Sequence, residues 1–298
     1  MTAQIIATLL PVFLIAGCGT LYGRFRTPDI RSLNTLNMEI FVPMLVFAVL
    51  ADGQAPLEEY AGLALAAAVV VLGSGVVLWP LVKLLRLEPK TFLPPMMFNN
   101  SGNMGVPLLV LAFGEAALPA AVVVFIVEML LHFSVGLYML SPRTPLWRLL
   151  RMPIVLASLA GLGVNLGGVP LPGWLLEALH MLGGVCIPLM LFALGVRMLD
   201  IDFRDWKTGM LGAVLCPLSG LILALPMILW LELTGLQAAV LWVFAALPPA
   251  VLNYLVAEQY RQEPQKVASL VLIGNLGSLV VMPVVLALVF MHVYPGAA

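Results

Sequence analysis

Apolar residues in this 298-residue chain fall into ten long stretches, near 4–22, 32–51, 60–82, 91–113, 117–140, 153–169, 174–198, 208–231, 236–257 and 266–292. Several run past the roughly 18 uncharged residues that cross a bilayer's hydrocarbon as a helix. Only short polar connections separate them. The pattern predicts an all-α integral membrane protein with ten transmembrane helices. Composition points the same way: 62% of residues are hydrophobic and 10% charged, and the mean hydropathy is +1.08. Soluble domains lie near about 45–50% apolar and about 25% charged. A soluble fold of this length could not bury the excess, so lipid must cover it.

Charge placement in the connections supplies an orientation. Arg24, Arg26 and Arg31 follow the first span, and Lys83, Arg86 and Lys90 the third. Arg143, Arg148 and Arg151 follow the fifth, Arg197, Arg204 and Lys207 the seventh, and Arg261 and Lys266 the ninth. Those are all 14 Lys and Arg of the chain; the alternate connections carry acids, namely Asp52, Glu58, Glu59, Glu115, Glu177 and Glu232. Lys and Arg gather on the cytoplasmic side. The expectation is a multi-pass protein of the cell (inner) membrane with both termini extracytoplasmic. The stretch from Leu14 to Cys18 looks like a lipoprotein cleavage box, but no Lys or Arg precedes its apolar core, so an uncleaved first helix is expected. Cys18, Cys186 and Cys216 all lie in apolar segments and read as packing residues rather than a disulfide or metal framework.

No polar linker divides the chain, which reads as a single transmembrane domain over 1–298. Within it the sequence repeats. Val42-Pro43-Met44-Leu45-Val46-Phe47-Ala48 in span two resembles Ile187-Pro188-Leu189-Met190-Leu191-Phe192-Ala193 in span seven. Span four carries Leu93-Pro94-Pro95 followed by Asn99, and span nine carries Leu247-Pro248-Pro249 followed by Asn253, an L-P-P-x-x-x-N pattern at an offset of 154 residues. Five spans separate the copies. Five is odd, so the second half must enter the membrane from the opposite side. That predicts a five-plus-five inverted repeat, about 1–140 and 153–298, with a site near mid-membrane where the halves meet.

Proline removes a backbone donor and breaks a helix interior, and freed polar groups in lipid must be buried in protein or line a wet cavity. Span four is predicted to break at Pro94-Pro95 and to continue through Asn99, Asn100, Ser101, Gly102, Asn103, Met104, Gly105, Val106 and Pro107; span nine is predicted to break at Pro248-Pro249 before Asn253. Two such broken helices, crossed, would present half-helix N-termini that receive an anion without a cationic side chain. Their C-terminal ends and Asn carbonyls could instead hold a cation. The substrate-site candidates are therefore Pro95, Asn99, Asn100, Asn103, Pro249 and Asn253, with hydrogen-bonding between helices as the other role open to intramembrane Asn. Asn165 reads as such a link. Glu128 in span five is an ionisable group at depth, with His132 one turn on. The two are either a proton-handling pair or a structural pair fixing two helices. Glu39 is placed nearer the cytosolic end, and His180 and His292 look incidental.

Asn100-Ser101-Gly102-Asn103-Met104-Gly105-Val106-Pro107-Leu108 resembles the N-x-G-N-x-G-x-P-L segment of the auxin efflux carrier family of membrane transporters. Pro43, Pro188 and Ala257-Glu258-Gln259-Tyr260 also look like that family's pattern, and the short loops look like its bacterial members. The resemblance covers nearly the whole chain. It implies spans four and nine crossed in an X, a scaffold of spans one, two, six and seven, and a moving core of spans three to five and eight to ten. It also implies kinship in fold with bile acid:sodium symporters, dimers as a common state, and substrates such as indole-3-acetate, malate or malonate. Where span ten of relatives often has a Ser-Thr pair, this chain has Gly274-Asn275, so a cation site or substrate contact there is expected to differ from theirs, with Asn275 as the coupling candidate.

The expected function is secondary active transport of a small organic anion by alternating access, with a coupling proton (Glu128, His132) or a sodium ion and no other cofactor. A sodium-coupled symporter of bile-acid-type anions or an antiporter is the alternative. The expected partners are the organic anion, the bilayer and a second copy of the chain, with no nucleic acid. An intramembrane enzyme is disfavoured, since no H-E-x-x-H motif, no Gly-x-Gly-Asp and no Ser/His pairing on the broken helices occurs. A passive channel is disfavoured by the single site between inverted halves.

Overall fold

The computed structural model describes residues 2–52, 57–142, 146–200 and 205–295. Arg143 and Arg204, two of the positive residues counted above, lie outside the described residues. Among the described residues, twelve principal helical segments follow one another: α1 (Thr2–Phe25), α2 (Ile30–Ala51), α3 (Ala61–Leu84), α4 (Pro89–Met97), α5 (Ser101–Phe113), α6 (Glu115–Leu140), α7 (Pro153–Leu166), α8 (Gly173–Arg197), α9 (Trp206–Trp230), α10 (Gly235–Ala245), α11 (Val251–Gln259) and α12 (Pro264–Val293). Seven are long and apolar enough to cross a membrane, namely α1, α2, α3, α6, α8, α9 and α12, while α5, α7 and α10 are shorter apolar helices. The protein is a multi-pass, all-helical membrane protein.

Local chemistry sets many of the ends. Pro89, Pro153 and Pro264 open their helices at the first position, where a missing N–H costs nothing. Asp29 caps α2 by accepting from the Ser32 backbone N–H at 3.1 Å. The C-terminus of α3 closes with Arg86 in the left-handed region (φ 54°) and Leu87 N–H reaching Val82 O at 3.0 Å. That of α9 closes identically, with Glu232 at φ 51° and Leu233 N–H on Ile228 O at 3.0 Å. Both are six-to-one C-terminal closures that usually recruit glycine.

Two sets of close packing organise the helices. In one, α1 lies along α8, and α2 along α7 and α8. A Cβ on Gly195 would sit 1.8 Å from Ala16 O and one on Gly19 2.1 Å from Phe192 O, so only these residues let the backbones of α1 and α8 meet. Thr20 Oγ1 then donates across the seam to Gly195 O at 2.8 Å. Asn165 Nδ2 donates to Leu50 O at 2.9 Å, linking α7 to α2. In the other set, α9 runs along α12 and α3, while α4 and α6 pack on α3.

Candidate functional site

The connection α4–α5 and the connection α10–α11 meet as two extended segments. Asn99 and Pro249 form an antiparallel bridge. Asn100 N–H donates to Pro248 O at 2.7 Å, and Ala250 N–H to Phe98 O at 3.0 Å. Each broken helix thus satisfies the backbone groups freed by the other, which is how non-helical chain survives among apolar side chains.

Two expectations are corrected here. First, α4 does not break at Pro94-Pro95: it runs through both to Met97, and the break falls at Phe98–Asn100. The prolines lie late in a helix that begins at Pro89, so only two intrahelical bonds are lost, and the chain opens one turn further on. In the other copy, Pro248-Pro249 lies inside the break. Second, the L-P-P-x-x-x-N copies are therefore out of structural register by four residues. Asn99 faces Pro249, and the counterpart of Asn253 is Asn103: each is the third residue of the helix that leaves the crossing.

The asparagines divide by what their amides do. Asn99 Nδ2 donates to Phe244 O at 2.7 Å, and Asn253 Nδ2 to Phe98 O at 2.8 Å and Ala250 O at 3.0 Å. With the amide nitrogens committed to carbonyls, the unpartnered atoms are Asn99 Oδ1 and Asn253 Oδ1, both buried. Asn100 Nδ2 donates to Asn275 Oδ1 at 3.0 Å, and Asn275 Nδ2 reaches Pro249 O at 3.0 Å and Val271 O at 2.8 Å. Gly274 lets the Pro249 ring in, since a Cβ there would stand 2.6 Å from Pro249 Cδ. Gly274-Asn275 is thus a unit that seats the crossing on α12. Cys216 Sγ, 3.5 Å from Leu247 O, covers another freed carbonyl. Asn103 is half-buried, and its amide makes no hydrogen bond among the described residues. Pro95 is buried with its neighbours from Thr91 to Met97.

The two half-helix N-termini differ. At the start of α5, the Ser101 hydroxyl donates to the carboxylate of Glu128, and both residues are buried. That end already has a carboxyl partner from the chain itself. The expectation that both ends stand free is corrected accordingly. At the start of α11, Ala250 supplies no side-chain cap, leaving the first-turn N–H groups of Val251 and Leu252 for a ligand or water. The His132 imidazole makes no hydrogen bond to the Glu128 carboxyl among the described residues; its ring stacks on Phe98, with centroids 4.3 Å apart and planes at 8°.

A cavity of about 1250 Å³ reaches this second end. It runs from Arg31 and Glu39 on α2 and Arg197 on α8, past Tyr254 and Glu258, to Val251. Glu39, placed by the sequence nearer the cytosolic end, is exposed on its wall. Sequence inspection did not single out Ser101 as the partner of Glu128 or Tyr254 as a cavity residue; the signal available for Ser101 was its place directly after the broken span's Asn pair. No group of three or more His, Cys, Asp or Glu able to hold a metal occurs among the described residues.

A family model described as membrane transport protein matches residues 4–145 and, a second time, residues 143–286. No curated protein matches the chain.

Proposed function

The chain belongs to the membrane transport protein family, that of the auxin efflux carriers, and from that premise we propose that it is a secondary active transporter of a small organic anion. The observation that carries this reading is the uncapped start of α11 at the head of the 1250 Å³ cavity. Positive helix ends receive carboxylates without a cationic partner, and the open amide of Asn103 offers a further donor. The substrate's carboxylate docks at the start of α11, where Val251 lines the cavity, and its body fills the cavity; Asn103 of α5, outside that lining, contacts it from the crossing. Ten spans in a five-plus-five inverted repeat, with the end bearing Arg31 and Arg197 facing the cytosol, make the cavity an inward-open vestibule of an alternating-access cycle. The paired family match to the two halves supports that reading.

Coupling is to protons through Glu128. A carboxylate at this depth is a functional candidate, and its partner among the described residues is Ser101, whose hydroxyl can serve the ionised and the protonated form alike. Sodium is the second reading, favoured by the unpartnered Asn99 Oδ1 and Asn253 Oδ1. Thermal stabilisation of the purified protein by malonate, malate and indole-3-acetate, with and without sodium, tests the site. At least one acid should stabilise the wild type, and Asn103→Ala should lose that stabilisation while remaining monodisperse. Equal stabilisation of both proteins would move the site elsewhere.

A further inference from the structure

The substrate vestibule contains neither Glu128 nor His132. A second, small cavity of about 10 Å³ does include His132. Its lining also takes in Lys90, Thr91, Asn253, Ala257 and Leu140. That volume is about the room a single water occupies. At its inner end stands Asn253, buried, its amide nitrogen committed to two carbonyls and its Oδ1 without a protein donor. Buried carbonyl oxygens of this kind are satisfied by ordered water. At its outer end Thr91 Oγ1 donates to Glu263 at 2.6 Å and accepts from Gln262 at 3.0 Å, beside exposed Lys90. Hydrogen bonds from Lys266 and Thr91 hold the Glu263 carboxyl below the usual range, so a charged, wet cluster marks the mouth.

We propose that this cavity holds a water bound to Asn253 Oδ1 and forms a proton passage from the Lys90 face through His132 to Glu128, separate from the substrate vestibule. The inference rests on the proton-coupled reading above. Lys90 and Lys266 at the mouth disfavour a resident metal cation but do not oppose proton hopping, in which no ion dwells. A proton enters the bound water, which passes one of its own to the imidazole. The imidazole releases its other N–H proton towards Glu128, one turn earlier on α6, and then returns to its first tautomer. Only Glu128 ends with a proton gained. The other titratable groups against this path are Glu263 from the α11–α12 turn, Lys266 from α12, Lys90 from α4 and the Cys216 thiol from α9.

Two variants obstruct the passage without touching the vestibule: Ala257→Val from its inner wall and Leu140→Phe from its outer one. In protein labelled with 15N-histidine, the His132 ring N–H, assigned with His132→Gln, should exchange with D2O about tenfold or more slowly in either monodisperse variant. His180 and His292 should exchange at wild-type rates as internal controls. In proteoliposomes the same variants should retain exchange of labelled malonate or indole-3-acetate at equal pH and lose accumulation driven by a pH gradient. Unchanged His132 exchange, with pH-driven accumulation intact, would overturn the passage and leave coupling standing. Slowed exchange in a protein whose wild type never responds to a pH gradient would overturn coupling through Glu128 and leave only a wet cavity.

Discussion

Asn275→Ala should be the most damaging single truncation at the crossing, and the structure gives its size. Three side-chain hydrogen bonds disappear, to Pro249 O, Val271 O and from Asn100 Nδ2. Bonds of this kind between membrane helices average about 0.6 kcal/mol, so the three account for about 2 kcal/mol. The change also strips the buried Asn100 amide and the Pro249 carbonyl of partners, at about 1–3 kcal/mol each. A total near 4 kcal/mol or above follows from these two parts. Asn253→Ala loses two bonds, but Phe98 O keeps the Ala250 N–H at 3.0 Å and Ala250 O keeps the Asn253 N–H at 3.1 Å. It also removes an oxygen that has no protein donor, so its net cost should be about 1 kcal/mol. Equilibrium unfolding in mixed detergent and SDS micelles, followed by tryptophan fluorescence, measures both. Because Asn100→Ala removes the donor that Asn275→Ala strands, the double variant should fall short of additivity by about 2 kcal/mol. Equal costs for Asn275→Ala and Asn253→Ala, or strict additivity with Asn100→Ala, would refute the hydrogen-bond assignment.

Other consequences follow from the backbone and the charges. Gly195→Ala places a Cβ 1.8 Å from Ala16 O, and parting α1 from α8 should cost about 3 kcal/mol in the same unfolding assay; a neutral result would mean that the two helices do not pack this way. Arg86→Gly and Glu232→Gly relieve left-handed backbone at φ 54° and 51° and should each stabilise by about 1 kcal/mol, with loss of stability contradicting the closure described. In a protein whose Cys18, Cys186 and Cys216 are replaced by serine or alanine, a cysteine at Gln237 should label from outside intact cells and one at Lys90 should not; external labelling of the latter would refute the ten-span arrangement.

Much of this fold was legible because its determinants are collective. A long uncharged run has few alternatives to a membrane helix, and no single residue decides it. The broken helices were legible too, from Pro94-Pro95, Pro248-Pro249 and the Asn-rich stretch between them and Gly105. The position of the break was not. Proline forbids bonds one turn back, but the helix ends where the freed groups find partners, and those partners (Phe98 O with Ala250, Asn100 with Pro248 O) lie 150 residues away or nearly so. For the same reason the equivalence of Asn103 with Asn253 was hidden behind the identical spelling around Asn99. The roles of individual amides were beyond the sequence: Asn99, Asn100, Asn253 and Asn275 look alike on paper and differ only in which carbonyls face them. His132 was visible as a neighbour of Glu128, yet its side chain stacks on Phe98, a contact between two helices that no spacing rule supplies.

A carrier exposes its single site to one side of the membrane at a time, and counterflow is the signature of that behaviour. Proteoliposomes preloaded with unlabelled malonate or indole-3-acetate, then diluted into a trace of the same labelled acid, should take the label up transiently above equilibrium, with saturable initial rates. Asn103→Ala should abolish the overshoot. Label that merely equilibrates, at a rate linear in concentration and indifferent to preloading, would describe a pore and contradict alternating access at the crossing of α4–α5 with α10–α11.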